Sequence, residues 1–185
     1  MTDEILISVD IETAGPIPAE YPMLSIGACL VQDRAVTFYV ELVPDRDRFV
    51  QEALSICGLD METLRQTGVE PGEAMKHFAA WVRHNTPEGA RPVFVALNAP
   101  FDWMFINDYF HRYLGENPFG HSALDIKAYF MGQAGVSWSE TSFRHLTDHF
   151  LEERRLTHNA LRDAQDQAEI FFLLLKQNPR ENPTE

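Results

Sequence analysis

The sequence predicts an α/β domain: a mixed sheet, with an antiparallel meander first and parallel strands after it, and helices on its faces. Three observations carry this expectation. The first quarter of the chain holds three apolar stretches joined by short turn-forming links. The remainder alternates helical periodicity with short apolar runs, the pattern of strands connected through helices. No internal repeat, low-complexity segment or linker divides the 185 residues, so one domain spanning 1–185 is expected.

In chain order, Ile5–Glu12 (ILISVDIE) is the first strand, apolar at Ile5, Leu6, Ile7, Val9 and Ile11. TAGPIPAEYP, rich in Gly and Pro, is a turn. Met23–Gln32 is a second strand, Asp33-Arg34 a two-residue link, and Ala35–Val43 a third strand. Asp45–Arg48 forms a charged loop, and residues 51–68 hold short helical pieces stopped by Gly58 and Gly68. Pro71–Asn85 is an amphipathic helix, with Ala74, Phe78, Trp81 and Val82 on one face and Pro71 suited to its first turn. Arg91–Leu97 is a strand, and Phe101–Leu114 is a helix stopped by Gly115. Ser122–Asp125 is a brief strand whose Asp125 can cap the helix that follows. Trp138–Phe150 reads as one helix. Asn159–Gln177 is the last helix, apolar at Ala160, Ala164, Ala168, Phe171 and Leu175, before a polar tail of about 178–185 that frays.

Composition narrows the function. With 15 Lys and Arg against 28 Asp and Glu, the formal net charge is −13. Such a surface does not grip long nucleic acid by its phosphates. It does allow a metal-dependent enzyme on a short anionic substrate, because bound cations supply local positive charge. Arg154-Arg155, the densest basic pair, is preceded by Glu152-Glu153, so no basic track for a duplex is visible. No apolar run approaches the ~20 residues that span a bilayer. The acidic N-terminus, MTDEILISVD, lacks the basic region of a signal peptide, so a cytoplasmic protein with no membrane partner is expected. Cys29 and Cys57 match no metal spacing and read as reduced structural thiols.

Three stretches carry candidate chemistry. The first strand ends in Asp10 and Glu12, and a period of two puts both on one face. Burying two like charges is costly, and each raises the other's pKa unless a cation lies between them. A divalent metal with hard oxygen ligands is the simplest such cation. Two strand-end acids that merely reach water fit this stretch equally well. Asp102, in LNAPFDWMF, starts a helix directly after a strand, where α/β folds place their sites. Taken alone, it reads better as an acid offsetting the helix dipole. His158 precedes a helix that Asn159 can cap, and Asp163 lies about one turn inside, so imidazole and carboxylate share that helix end. A surface His and a dipole-compensating Asp would give the same pattern. Arg162, Asp166 and Glu169 read as solvated. His145 and His149 are four apart on a helix but have no evident third ligand, so a solvated face is the better reading. Phe101, Trp103 and Phe105 flank Asp102 and read mostly as core, with one free to stack on a base.

VDIET, NAPFD and HNALRDA, in this order and at these distances, resemble the DEDDh exonuclease superfamily, to which ribonuclease T, oligoribonuclease and the proofreading subunit of DNA polymerase III belong. The resemblance runs from Ile5 to about Leu175. It implies a ribonuclease H-like fold and two-metal 3′→5′ removal of nucleoside 5′-monophosphates from single-stranded nucleic acid, with two Mg²⁺ or Mn²⁺ ions as cofactors. By motif, Asp10 and Glu12 are the first acidic pair, Asp102 the third acid and Asp163 the fourth, all four metal ligands. His158, five residues before Asp163, is the family's histidine and is expected to act as general base. The residue types suit this chemistry. Hard carboxylates favour Mg²⁺ or Mn²⁺ over zinc. Two cations can activate water and stabilise the leaving oxygen. An imidazole can accept a proton near neutral pH.

The family's hydrophobic wedge against the terminal base falls near Met23 and Leu24, and Thr13 and Phe101 complete the expected substrate contacts. Leu97 stands where many members have a His, which implies adjusted packing around the site rather than lost activity. Resemblance to the small stand-alone members favours short RNA over DNA and suggests a homodimer. A DNA exonuclease of proofreading or repair type is the alternative. A non-catalytic binding module on the same fold should have lost an acid or the histidine, and all five are present. A ribonuclease H-like endonuclease or transferase would not need the HNALRDA arrangement.

Overall fold

Strand β1 (Glu4–Thr13) is central in a five-stranded sheet with β2 (Met23–Leu30), β3 (Thr37–Glu41), β4 (Arg91–Ala96) and β5 (Ala123–Asp125), in the order β3-β2-β1-β4-β5. The computed structural model describes residues 3–151 and 157–177. Strands β1, β2 and β3 pair antiparallel, while β4 and β5 join β1 in parallel. This is the mixed sheet expected from the sequence. The helices among the described residues are α1 (Gln51–Cys57), α2 (Met61–Thr67), α3 (Pro71–His84), α4 (Ala99–Leu114), α5 (Ile126–Ala134), α6 (Phe143–Phe150) and α7 (Ala160–Lys176). None of them is long and apolar enough to cross a membrane.

The pleat of β1 sorts its side chains between two layers. Ile7, Val9 and Ile11 pack with Phe78 of α3 and Phe105, Ile106, Tyr109 and Phe110 of α4. Phe78 stacks on Phe38 at 4.9 Å and on Phe110 at 5.6 Å between ring centroids. The opposite face, with Leu6, Cys29 and Val95, is covered by Ile126, Leu146, Phe171 and Leu174 of α5, α6 and α7. Burying each such large apolar side chain contributes roughly 1.5–3 kcal/mol.

Local chemistry shifts several boundaries. β2 ends at Leu30 rather than Gln32, and the link to β3 is longer than two residues. Val36 N–H donates to the Asp33 carbonyl and Leu30 N–H to the Val36 carbonyl, which closes a turn over 30–36. Helix α4 starts two residues early, at Ala99. The stretch Trp138–Phe150 is not one helix but a 3₁₀ turn, Trp138–Thr141, followed by α6. Ser142 lies in extended backbone between them and its hydroxyl accepts from the His145 N–H, so a new N-cap interrupts the periodicity. Gly58 ends α1 in the left-handed region, as its position predicted. The Glu152-Glu153 and Arg154-Arg155 run and the polar tail lie outside the described residues.

Candidate active site

The parallel pairing of β1 with β4 ends at Ser8 and Val95, whereas β1 and β2 stay paired to Thr13. Beyond Ser8 the sheet therefore opens between β1 and β4. Asp10 and Glu12 lie on that open edge, opposite Gly27 and Ser25 of β2. They share the face covered by α7, as their spacing of two requires. A register shift at Glu12 and Thr13 then ends the strand.

The first turns of α4 and α7 supply the other side chains. Asp102 is 5% exposed, and its Oδ1 accepts the Ile11 N–H at 3.3 Å. Asp163 is 2% exposed and is used on both oxygens. Its Oδ1 accepts from the Thr157 N–H at 2.8 Å and the Thr157 hydroxyl at 3.0 Å, and its Oδ2 accepts the His158 N–H at 2.8 Å. Asn159 caps α7, its Oδ1 accepting the Arg162 N–H at 3.2 Å. Asn98 (φ 66°) and His158 (φ 53°) are the positive-φ residues other than glycine among the described residues. Each stands at the entry of a helix that carries a candidate ligand. Backbone held in this sparsely populated region is a recurring mark of functional sites.

Ligand atoms of Glu12, His158 and Asp163 all lie within 4.8 Å of one another. Asp10 adjoins this group: burial first, then the charges of Asp102, Glu12 and Asp163, push its carboxyl well above the ordinary carboxylate range. Burial, with the Asp163 charge, raises Glu12 to about 7. Burial raises Asp102 to about 8, opposed by backbone N–H bonds including that of Ile11, and assisted by Glu12 and Asp125. Among the described residues, none of the four acids forms an ion pair with Lys or Arg. Four hard oxygen donors that crowd together without a cationic side chain fit Mg²⁺ or Mn²⁺.

The expected substrate contacts fare differently. Met23 and Leu24 are fully buried, Met23 in the core of α3 and α4 and Leu24 against Ala14, Met61 and Leu64, so neither presents a wedge to a base. Thr13 is 7% exposed, and its hydroxyl is bonded to the Gly15 carbonyl. Phe101 is partly exposed beside Asp102 and packs on the buried Phe105. Trp103 meets the edge of Phe94 in the core. His145 Nδ1 bonds to the Ser142 hydroxyl at 2.7 Å. Leu97 packs in the layer under α7, and its N–H donates to Gln167.

Two contributors to the site, Gly27 and Gln167, were not read from the sequence, and a third, Asp125, was read only as the cap of the helix that follows it. Gly27 faces the first turn of α7, and a Cβ there would overlap the backbone of Ala160 and Leu161. The missing side chain lets α7 settle on the sheet next to Asp10. Asp125 holds two helix starts, accepting the Ala99 N–H at 2.6 Å and the Ala128 N–H at 2.7 Å, and so fixes the helix bearing Asp102. Gln167 is 2% exposed and donates to Asp10 Oδ1 at 2.6 Å. Its place four residues after Asp163, on the same helix face, is its only mark in the sequence, and one too common on helices to single it out.

No family model matches the chain. It is 44% identical over 173 residues to the 3′-5′ DNA exonuclease Cap18 of Escherichia coli, covering 94% of this chain and 92% of that protein. Among solved structures, the nuclease domain of 3′hExo, a DEDDh family member bound to rAMP, matches with a TM-score of 0.78 at 14% identity, over 97% of this chain and 96% of that one. E. coli exonuclease I in complex with a dT13 oligonucleotide matches at 0.72 and 17% identity, over 96% of this chain but 42% of its own. The Mg²⁺- and Mn²⁺-bound form of S. pombe Pop2p matches at 0.69 and 14% identity, over 97% of this chain and 86% of that one. At such identities these structures share the fold, which is the ribonuclease H-like one. With a relative this similar over nearly its whole length, the chain belongs to the DEDDh 3′-5′ exonuclease superfamily.

Proposed function

We propose that this protein is a metal-dependent 3′-5′ exonuclease that releases nucleoside 5′-monophosphates from single-stranded ends, with DNA as its main substrate. The observation that carries the reading is the convergence of Asp10, Glu12, Asp102 and Asp163 beside His158 in one cluster without a Lys or Arg partner among the described residues. Asp10, Glu12, Asp102 and Asp163 would hold two Mg²⁺ or Mn²⁺ ions, which when bound supply the positive charge for activating water and stabilising a leaving alkoxide. His158 takes a proton from water as its oxygen attacks the terminal phosphorus. The P–O3′ bond breaks, the shortened strand keeps a 3′-hydroxyl after protonation from solvent, and the phosphate leaves on the released nucleoside. The Asp163 carboxylate accepts from the His158 and Thr157 backbone N–H groups, which anchors the backbone that carries the imidazole.

DNA is placed first because the relative at 44% identity is named a DNA exonuclease. RNA, favoured by resemblance to the small stand-alone members, would need a contact to the 2′-hydroxyl, and no residue of the site is assigned to one. Matched 5′-labelled DNA and RNA oligomers test the choice. Higher kcat/KM on DNA, with nucleoside 5′-monophosphates as products, is expected. Faster digestion of RNA would reverse the preference, and 3′-phosphorylated products would remove the proposed bond cleavage.

A further inference from the structure

Gln167 occupies the gap that opens where β1 and β4 separate. Its side chain is buried, and each end has one partner. Oε1 accepts the Leu97 N–H at 2.8 Å, and Nε2 donates to Asp10 Oδ1 at 2.6 Å. Leu97 follows the last residue of β4, and β1 offers no ladder bond at that level, because their pairing ends at Ser8 and Val95. The chemistry of these partners fixes the amide. A backbone N–H can only donate, so it must face the carbonyl oxygen, and the NH₂ group must face Asp10. One side chain thus ties the end of β4, helix α7 and the first acid of the site together.

We propose that Gln167 is a positioning residue that sets the orientation of the Asp10 carboxylate for metal binding. This rests on the metal-centre reading above. A carboxylate on a strand can turn about its terminal bond, and a ligand that turns must be ordered each time an ion binds. The 2.6 Å bond holds Oδ1 and so fixes the carboxylate plane. Donation from NH₂ leaves Asp10 an acceptor in all its remaining directions, which suits a cation. The same helix presents Asp163 one turn earlier, so α7 places one candidate ligand directly and orients a second through Gln167. Partners that orient metal ligands typically change affinity or activity by roughly 10–100-fold when removed.

The test is Mn²⁺ titration by calorimetry, without substrate, on wild type, Gln167→Met and Gln167→Asn. Met keeps the length and removes both bonds. Asn keeps a buried amide but is one methylene too short to span Leu97 and Asp10. Both variants should weaken Mn²⁺ binding by roughly 10–100-fold. Their melting temperatures in EDTA should fall by only a few degrees, the effect of leaving the Leu97 N–H without its acceptor, and saturating Mn²⁺ should restore kcat with KM for the oligonucleotide little changed. Mn²⁺ affinity within twofold of wild type in either folded variant would overturn the proposal. Loss of fold in both variants would also overturn it, by assigning Gln167 to the scaffold. Failure of the wild type itself to bind Mn²⁺ would instead sink the metal centre.

Discussion

At the scale of single residues, the site is a place where like charges are forced together. Asp10, Glu12 and Asp102 are all held above the ordinary carboxylate values of 3.8 and 4.5, by burial first and then by neighbouring carboxylates, Asp163 and Asp125 among them. A raised folded-state value means that the folded protein holds these protons more tightly than the unfolded chain. The contribution of these three groups to the stability of the metal-free protein should therefore be greatest below about pH 4 and be lost as pH rises through about 7 for Glu12 and about 8 for Asp102. Melting curves in EDTA from pH 4 to 9 check this, and a melting temperature flat across that window would contradict it. Metal binds the ionised forms, so the gain on adding Mg²⁺ should grow with pH. Asp10→Asn should abolish turnover yet melt higher than wild type in EDTA at pH 8, because one buried charge is gone. For His158, replacement by Asn retains a residue tolerant of its left-handed backbone. That variant should lose roughly 10²–10⁴ in kcat while binding Mn²⁺ as before, and an unchanged kcat would leave His158 a structural role. The acids and the histidine were legible in the sequence because each sits in a short motif at a strand end or helix start. Gln167 was not, since a Gln within DAQDQAE looks like any polar helical residue. Its role exists only because β1 and β4 part at one particular level.

At the scale of elements, the site depends on α7 lying close against β2. Gly27 makes that approach possible, so Gly27→Ala should lift the first turn of α7 away from Asp10 and Glu12. Overpacking of this kind costs roughly 1–3 kcal/mol, and a displacement near 1 Å can cost about 10² in rate. Chemical denaturation and single-turnover kinetics on the variant measure the two effects. Activity and stability both at wild-type level would show that α7 has slack over Gly27. Periodicity made most elements readable, because one face of each strand and helix had to be apolar. It failed where local capping outweighs it: Ser142 breaks the expected helix Trp138–Phe150, and a turn over 30–36 shortens two strands. Met23 and Leu24 were read from family position, whereas their place in β2 between two cores fixes them inside.

At the scale of the whole molecule, charge and fold have to be reconciled. A chain at −13 repels a long polyanion everywhere that no cation is bound. Binding should therefore come from the last few nucleotides, level off with substrate length, and show a shallow dependence on salt because few counterions are released. KM for oligomers of two to about twenty nucleotides at two salt concentrations checks this; affinity that climbs steadily with length and collapses in salt would indicate an extended phosphate track. The mixed character of the sheet was legible because short links force antiparallel neighbours and helical crossovers give parallel ones, whereas the strand order β3-β2-β1-β4-β5 came from the structure. The preference for DNA or RNA was not, since it depends on contacts to one sugar hydroxyl. Digestion of a 5′-labelled single-stranded DNA oligomer with Mn²⁺ and with EDTA tests the metal-dependent exonuclease most directly. The four carboxylates predict a descending ladder of single-nucleotide steps from the 3′ end in Mn²⁺, and intact oligomer in EDTA. Equal cleavage in EDTA, or a gel shift with no shortened products in Mn²⁺, would contradict it.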